Sequence, residues 1–448
     1  MLSIEDSRVL VERLVTRARA AGADAADALY IGDQSSSVDV RLRELEQVGR
    51  SEGEDLGLRV FLGSRSATVS SSDLSTEALE ALVDRALAMA AEAPEDPYAG
   101  LASTDFLELG ELPQIHTVDT TGPDPPELRQ RALQAEEAAL AVNGVTNSTG
   151  ASASASATTI ALATSAGFAA AYRSTGFSCS AGVVAGDGAA MQRDHAWHSA
   201  RHLSDLENAE QIGRLAGERA VARLSPVRPR SGKMPVLFDP RVSSSLLGHF
   251  AGAINGASVA RRSSFLQEKL GERLFAKDVT IIDDPLRLRG LRSRPFDGEG
   301  VRVARTEVVS GGVLQTWMAE SASARQLGID PTGHAARGVG GSPSASPSNF
   351  YIAAGPRSRE DLLAEFPEAI LVTELIGHGV NGVTGDYSRG AAGFVVRGGE
   401  IGAPVQEITI ASNLVEMFAT LEPGSDLEFR RGIDAPTILI PEMTVASG

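Results

Sequence analysis

The sequence is poor in the residues that carry several kinds of chemistry. It has 448 residues and one cysteine, Cys179, so an internal disulfide and a cysteine-rich metal site are excluded. Aromatic residues make up 5% of the chain, and lysine occurs at Lys233, Lys269 and Lys277 alone. The formal net charge of −17 argues against binding to nucleic acid, because a phosphate-binding surface needs clustered Lys and Arg.

Long apolar runs are also missing. No stretch approaches the ~20 apolar residues that a membrane-spanning helix needs. The first residues, MLSIEDSRVLVERLV, are acidic where a signal peptide would be basic. We therefore expect a cytoplasmic protein without a membrane segment. Nucleophile-elbow, P-loop and dinucleotide-binding motifs are absent as well.

The first half of the chain predicts helices that alternate with short strands. Amphipathic helices are predicted at 3–21, 75–93, 125–142 and 205–223. Strand-like runs lie at 26–32, 36–43, 45–52, 56–62, 66–71, 146–153, 157–165, 168–175 and 177–185. The order helix, meander, helix occurs twice, which favours two related repeat units, 1–95 and 122–224. We predict an N-terminal α+β region of antiparallel sheet or sheets flanked by helices.

The second half is richer in glycine and in strand-like segments. Residues 225–232 (SPVRPRSG) predict a linker between the N-terminal region, 1–224, and a β-rich C-terminal domain, 233–448. Strands are predicted near 234–238, 279–282, 302–310, 312–318, 349–354, 369–375, 393–398, 405–411 and 436–445. Helices are predicted at 240–254, 262–274, 358–365 and 411–419, and loops at 337–349 and 377–390.

Two segments of this domain carry a distinctive pattern. Residues 246–256 read LLGHFAGAING, and residues 373–394 read TELIGHGVNGVTGDYSRGAAGF. Together with MPVLFDPRV, GASVARRSSF, TGHAARG, EITIASNL and ILIPEM, in that order, they resemble the TldD/PmbA family of metallopeptidases. The resemblance implies a dimer that acts on unfolded peptides, formed either with a TldD-like catalytic chain or as a homodimer.

The resemblance also implies that the zinc site is missing from this chain. The catalytic branch carries HExxxH on this helix, and alignment on the shared Leu-Leu places the two histidines at Gly248 and Ala253 and the glutamate at His249. The third family ligand, a cysteine, corresponds to Ala435 or a neighbour in a cysteine-free stretch, 431–443. A zinc peptidase needs three protein ligands, an open position and a base. The chain therefore resembles the PmbA (TldE) branch, a non-catalytic subunit without a cofactor whose TldD-like partner would hold the zinc. His249 itself is interpreted as a hydrogen-bonded polar group at a packing surface.

The glycine-rich segment 377–390 is the second candidate site. Its glycines permit positive φ or the close approach of another backbone. We predict that it lines a cleft and contacts an extended peptide or the partner chain, through His378, Gly385, Asp386, Tyr387 and Arg389. The alternative is a simple glycine-rich turn in which Asp386 bonds its own backbone.

Two further clusters leave alternatives open. His195, His198 and His202 would share one face of a helix and could bind a metal, which makes a homodimeric metallopeptidase or hydrolase with a relocated metal site an alternative function. An irregular strand end is the simpler interpretation of this segment.

Asp297 and Glu299 are interpreted as a solvated acidic turn. A peptide-binding chaperone without a peptidase partner is a third functional class.

Overall fold

A computed structural model describes residues 1–447 of the chain. Its α-helices are α1 (Ile4–Ala20), α2 (Thr76–Glu92), α3 (Pro125–Leu140), α4 (Ala209–Ala222), α5 (Pro240–Ala253), α6 (Gly256–Ala260), α7 (Ser321–Leu327), α8 (Arg359–Ala364) and α9 (Leu414–Thr420). The strands of the first half are β1 (Ala25–Arg41), β2 (Glu44–Leu62), β3 (Arg65–Ser71), β4 (Val145–Thr164), β5 (Ala169–Ala185) and β6 (Gln192–Ala200). Those of the second half are β7 (Gly232–Phe238), β8 (Ile281–Asp283), β9 (Thr306–Ser310), β10 (Val313–Leu314), β11 (Ala335–Ala336), β12 (Ser344–Ala345), β13 (Phe350–Ile352), β14 (Glu368–Ile376), β15 (Asp386–Arg397), β16 (Glu400–Asn413), β17 (Glu422–Pro423), β18 (Ile433–Asp434) and β19 (Ile438–Ser447).

The first half forms one antiparallel sheet, in the order β3-β2-β1-β4-β5-β6. Two units of helix, three strands and helix build it, and the antiparallel pairing of β1 with β4 joins them. This confirms the predicted α+β class with helices flanking an antiparallel sheet. A common origin of the two units stays a prediction.

The predicted short strands are wrong in length, because neighbouring runs merge into long ones. Runs 26–32 and 36–43 are a single strand, β1, whose pairing continues through Gly32 and Ser35 on both sides. Backbone hydrogen bonds to two neighbours hold these weak strand formers in the sheet despite their low propensity. The segment 193–202, interpreted as an irregular strand end, contains most of strand β6.

The four long helices cover one face of this sheet. Tyr30 and Leu58 pack beneath α1 and α2, and Val38 and Phe177 pack beneath α3 and α4. The opposite face contacts the C-terminal domain through aromatic residues, with Phe168 and Phe296 in an edge-to-face arrangement at 4.9 Å between ring centroids. The N-terminal sheet is therefore buried on both faces near residues 26–30, 56–61 and 161–164, whereas residues 44–54 of β2 are largely exposed.

The C-terminal domain is built on a closed sheet. Its strands follow the order β16-β15-β14-β7-β19-β17, and an additional pairing of β16 with β19 closes the ring. Closure removes free strand edges. The strand edges of this closed sheet therefore give no reason to expect dimerisation. The open edge lies instead in the N-terminal sheet, where β3 pairs only with residues 56–62 of β2 and leaves residues 44–55 unpaired on that side.

Three other sequence predictions need correction. A helix is absent at 262–274, where Arg262 has positive φ and the N–H groups of Gly271 and Leu274 bond to the carbonyls of Leu314 and Gly312. Helix α7 was not predicted. The loop at 377–390 ends at Gly385, because β15 begins at Asp386.

The segment 225–232 runs along the closed sheet, where the Val227 N–H donates to the Pro404 carbonyl at 2.8 Å. Across residues 1–447, no helix is both long enough and apolar enough to span a membrane.

Candidate functional site

Helix α5 is the helix on which the family resemblance places a metal site. It begins at the N-cap Asp239, whose carboxylate accepts the Arg241 N–H, and Pro240 occupies its first turn. Leu246, Leu247 and Phe250 bury one face in the core of the C-terminal domain. The opposite face is open at Gly248 and Gly252, where an added Cβ would meet no atom within 4 Å.

The residues at this place do not fit a zinc ion. Gly248 and Ala253 have no metal-binding atom, and His249 alone carries one. Ala435 does lie beside the helix, since the Ser243 hydroxyl donates to its carbonyl at 3.1 Å. Among the described residues, no group of three or more His, Cys, Asp or Glu side chains is placed to hold a metal ion. Three ligands are the minimum for a catalytic zinc.

His249 forms a cluster with Tyr387 and Arg389, which we call the His249 cluster. The His249 Nε2, the Tyr387 hydroxyl and the Arg389 Nε are buried and make no hydrogen bond within residues 1–447. The rings of His249 and Tyr387 meet edge to face, with centroids 6.1 Å apart. The interpretation of His249 as a satisfied polar group is therefore wrong. Buried polar atoms without partners are uncommon and mark places that need explanation.

The protonation states of this cluster follow from its burial. Burial lowers the pKa of His249, and the charge of Arg389 lowers it further. Burial raises the pKa of Tyr387 to about 12, although nearby Arg389 opposes this. At neutral pH the cluster thus holds a neutral imidazole, a protonated phenol and a guanidinium. These groups offer hydrogen-bond donors that suit a peptide carbonyl or a carboxylate.

The structure divides the predicted cleft residues into two sets. Tyr387 and Arg389 alternate with exposed neighbours on β15 and reach α5. His378 and Asp386 lie instead at the exposed loop end. The Asp386 carboxylate accepts hydrogen bonds from the Thr384 hydroxyl at 2.6 Å and the Asn413 amide at 3.2 Å, which together lower its pKa.

Gly385 is a buried residue at the end of this loop. Its φ is +80°, and an added Cβ would lie 3.1 Å from the Asn413 Oδ1. That atom accepts the Val415 N–H and caps α9. A side chain at position 385 would therefore strain the backbone and disturb the helix cap, so the glycine is needed for folding of the loop.

The structure does not bring the side chains of His195, His198 and His202 together. His195 and His198 lie on opposite faces of β6, since their positions differ by an odd number. The His198 Nδ1 accepts the Glu207 N–H at 3.2 Å, and the His202 Nε2 is 2.8 Å from the His116 carbonyl oxygen. The relocated metal site predicted from a helical spacing is therefore wrong.

The acidic turn at Asp297 and Glu299 is buried rather than solvated, which corrects another interpretation. Glu299 lies 3.7 Å from Arg59, and Asp27 pairs with both Arg59 and Arg337; we call these four residues and Asp297 the buried charge cluster. Asp27 accepts hydrogen bonds from Arg59 at 2.9 Å and from Arg337 at 2.5 Å. Burial, and then the charge of Glu299, raise the pKa of Asp297 to about 7. The cluster joins the N-terminal sheet to the C-terminal domain.

A second interdomain feature is a cavity of about 770 Å³, which we call the arginine cleft. It lies between β6 and α4 on one side and the start of α5, the end of β14 and the segment 426–435 on the other. Its charged lining residues are Arg193, Asp194, Arg219, Arg223, Asp239, Arg241, Arg359, Glu374, Asp426, Glu428, Arg430, Arg431 and Asp434.

Sequence reasoning missed this cleft, because its arginines come from five separate segments with no local motif. The large excess of arginine over lysine was the one signal that could have drawn attention to it.

Known proteins are similar to this chain over nearly its whole length. Family models for the PmbA/TldA metallopeptidase domain 1, central domain and C-terminal domain match residues 26–90, 119–224 and 231–447. The chain is 38% identical to Metalloprotease PmbA of Escherichia coli O157:H7, over 99% of this chain and 97% of that protein. It is 36% identical to the Metalloprotease PmbA homolog of Haemophilus influenzae, over 92% and 89% of the two chains.

Solved structures of other proteins have the same fold. A crystal structure of a candidate modulator of DNA gyrase from Bacteroides thetaiotaomicron has a TM-score of 0.92 at 25% identity and covers 100% of both chains. TldE from Thermococcus kodakarensis has a TM-score of 0.87 at 19% identity, with 97% and 99% covered, and shares the fold.

Proposed function

This chain belongs to the PmbA/TldD metallopeptidase family, and from that premise we propose that it is the non-catalytic subunit of a peptidase whose zinc comes from a TldD-like chain. The observation that carries the proposal is helix α5. The helix is present, and its Gly248 face is open. Gly248 and Ala253 occupy its two zinc-ligand positions, and His249 occupies the position of the catalytic base. Neither a water-activating metal nor a carboxylate base is supplied there.

The His249 cluster supports a binding role for the same helix. Arg389 lines an open hollow beside the helix, so its guanidinium, together with the half-buried imidazole of His249, can bond the main chain of an unfolded peptide in any sequence. Main-chain recognition of this kind is how extended peptides are held independently of their side chains. In this proposal the chain positions the peptide, and the catalytic chain cleaves it.

The exposed loop that precedes β15 is proposed as the contact with the catalytic chain. Ile376 at the end of β14 and Val383 within the loop are 54% and 60% exposed, with the exposed His378 between them and Asp386 after them. Apolar residues with a polar surround are typical of protein interfaces. Dimerisation itself stays a prediction, either with a TldD-like chain or between two copies of this one.

A reconstitution assay tests the subunit role. The chain is purified without a metal-affinity tag, and its zinc content and its cleavage of unfolded peptides are measured alone and with a family chain that carries HExxxH. We expect less than one tenth of a zinc per chain, no cleavage alone, and at least tenfold faster cleavage by the mixture than by the catalytic chain alone.

The control is a catalytic chain whose HExxxH glutamate is replaced by glutamine, which should abolish cleavage in the mixture. One zinc per isolated chain together with chelator-sensitive cleavage would contradict the proposal. Peptide binding without any effect on a catalytic chain would favour the chaperone alternative.

A further inference from the structure

The arginine cleft holds more positive charge than its own carboxylates pair. Arg223 is in contact with Glu374, Arg241 lies 3.0 Å from Asp194, and Arg359 lies 2.7 Å from Asp239. Arg430 pairs with Glu428 at 2.9 Å and with Glu207. Three further lining arginines, Arg193, Arg219 and Arg431, have no carboxylate within ion-pair distance in the described part of the chain, and of these Arg193 is exposed to solvent.

Arg219 extends from α4 into the cleft with a single weak hydrogen bond. Its guanidinium donates to the His195 carbonyl at 3.2 Å. Burial, and then the charge of Arg241, lower its pKa to about 10. It therefore remains a cation at neutral pH, in a place that disfavours an unpaired cation.

Arg431 approaches from the opposite wall. It donates to the Arg241 carbonyl at 2.5 Å and lies over the Trp197 ring, 5.3 Å from its centroid. Burial lowers its pKa in spite of Asp434. The carboxylate of Asp434 is occupied by the backbone N–H groups at 430–432, so it closes a turn and does not pair with the Arg431 side chain.

The cleft continues toward the His249 cluster. A second hollow of about 320 Å³ shares Arg241 and Arg431 with the cleft and adds Arg389, a member of the His249 cluster. Trp197, Leu215, Val242 and Leu375 give the cleft an apolar wall between its charges. A peptide lying along α5 would thus have side-chain donors for its main chain near its middle. At one end it would meet a cavity with an apolar wall and unpaired positive charge.

We propose that the arginine cleft binds the α-carboxylate of a peptide, with Arg219 and Arg431 as its ligands and the apolar wall against the last side chain. This rests on the proposed function and defines which part of the peptide is recognised. Guanidinium groups suit carboxylates by geometry and charge. The six carboxylates that also line the cleft disfavour a polyanion, which separates this ligand from nucleic acid.

Isothermal titration calorimetry on the full isolated chain tests the assignment. The probes are an N-acetylated hexapeptide with a free C-terminus, the same peptide with a C-terminal amide, and inorganic phosphate. We expect the free acid to bind at least tenfold tighter than the amide, and phosphate to bind more weakly than the free acid. Arg219→Gln and Arg431→Gln should each abolish the preference for the acid.

Arg219→Lys, which keeps the charge, should retain part of the preference. Arg214→Gln is the matched control, because Arg214 is exposed on the same helix and lies outside the cleft. Equal affinity for acid and amide, or phosphate binding that equals or exceeds that of the acid, would overturn the proposal. Since no catalytic chain enters this measurement, such a result rejects carboxylate recognition while the subunit role is decided by the cleavage assay.

Discussion

The N-terminal sheet meets the C-terminal domain at two charged clusters that differ in how their charges are paired. In the buried charge cluster, Asp27 lies between Arg59 and Arg337 at 1% exposure, and Arg59 also lies 3.7 Å from Glu299. In the arginine cleft, Arg219 and Arg431 line an open cavity and have no carboxylate within ion-pair distance in the described residues, because the six carboxylates of that cavity pair with other groups. Buried charges are stable only when paired. Buried charges that pair across the interface therefore hold the two domains together, whereas unpaired positive charges in an open cavity indicate a site for an anionic ligand.

The largest expected effect comes from breaking the closed cluster. Asp27→Ala leaves Arg337 buried without a counter-charge and Arg59 with Glu299 alone at 3.7 Å, which should lower the free energy of unfolding by about 3–5 kcal/mol. Urea denaturation measures it. Lys233→Ala, which removes a solvent-exposed ion pair with Glu442, is the control and should leave the midpoint unchanged. A loss no larger than the control's would show that the cluster does not hold the domains together.

The next largest expected effect is a pH dependence of the free energy of unfolding, which arises from the same cluster. The pKa of Asp297 is raised to about 7 in the folded chain, so the folded state binds a proton that the unfolded state has released above pH ~4. Its stabilising contribution is full below pH ~4 and is lost as pH rises through 7.

The free energy of unfolding of the wild type should therefore fall between pH 5 and pH 8 relative to Asp297→Asn, by roughly 1 kcal/mol or more. Asp27 and Asp194 have lowered pKa values and are already ionised across this window. Parallel pH profiles of the two proteins would mean that Asp297 is ionised throughout.

A smaller effect of opposite sign is expected at the His249 cluster. His249→Phe removes a buried ring nitrogen that has no partner, so the free energy of unfolding should rise by about 1 kcal/mol. Cleavage by the reconstituted enzyme should fall, because a peptide contact is lost. His378→Phe at the exposed loop is the control for stability. Destabilisation by His249→Phe would show that the histidine is bonded in the native protein.

The smallest effect is expected at the arginine cleft. Arg219→Gln removes a cation without a counter-charge, so the free energy of unfolding should change by less than about 0.5 kcal/mol, the range typical of substitutions away from structural contacts. Differential scanning calorimetry alongside Asp27→Ala compares the two clusters directly. A loss as large as that of Asp27→Ala would make the cleft a second structural cluster.

The helices of the N-terminal region could be predicted from the sequence to within about four residues at each end. Their signals are local, such as the capping Ser3, Ser75 and Asp124 and the helical spacing of apolar residues. The strands could not be bounded so well, since Gly32 and the serines of β1 are strand residues only by virtue of two paired neighbours. Asp297 and Glu299 show the same limit, because a turn of acids is buried only when another domain covers it.

The candidate site divides in the same way. Tyr387 and Arg389 were predicted from a contiguous motif, and the family resemblance singled out His249, so the residues of the His249 cluster were all named in advance. Their meeting was not predicted, because it depends on how β15 packs against α5. The arginine cleft had no local sequence motif, since its arginines are separated by up to 238 positions between Arg193 and Arg431.

The sequence by itself determined the family, the α+β class, the positions of the main helices and the absence of the ligand residues from α5. These follow from residue identity and short-range spacing, which the chain carries without folding. The tertiary structure alone decided that the C-terminal sheet is closed, that Asp297 is buried, and that Arg219 and Arg431 line one cavity without forming an ion pair. Burial and charge pairing depend on distances between segments far apart in the chain, and folding sets those distances.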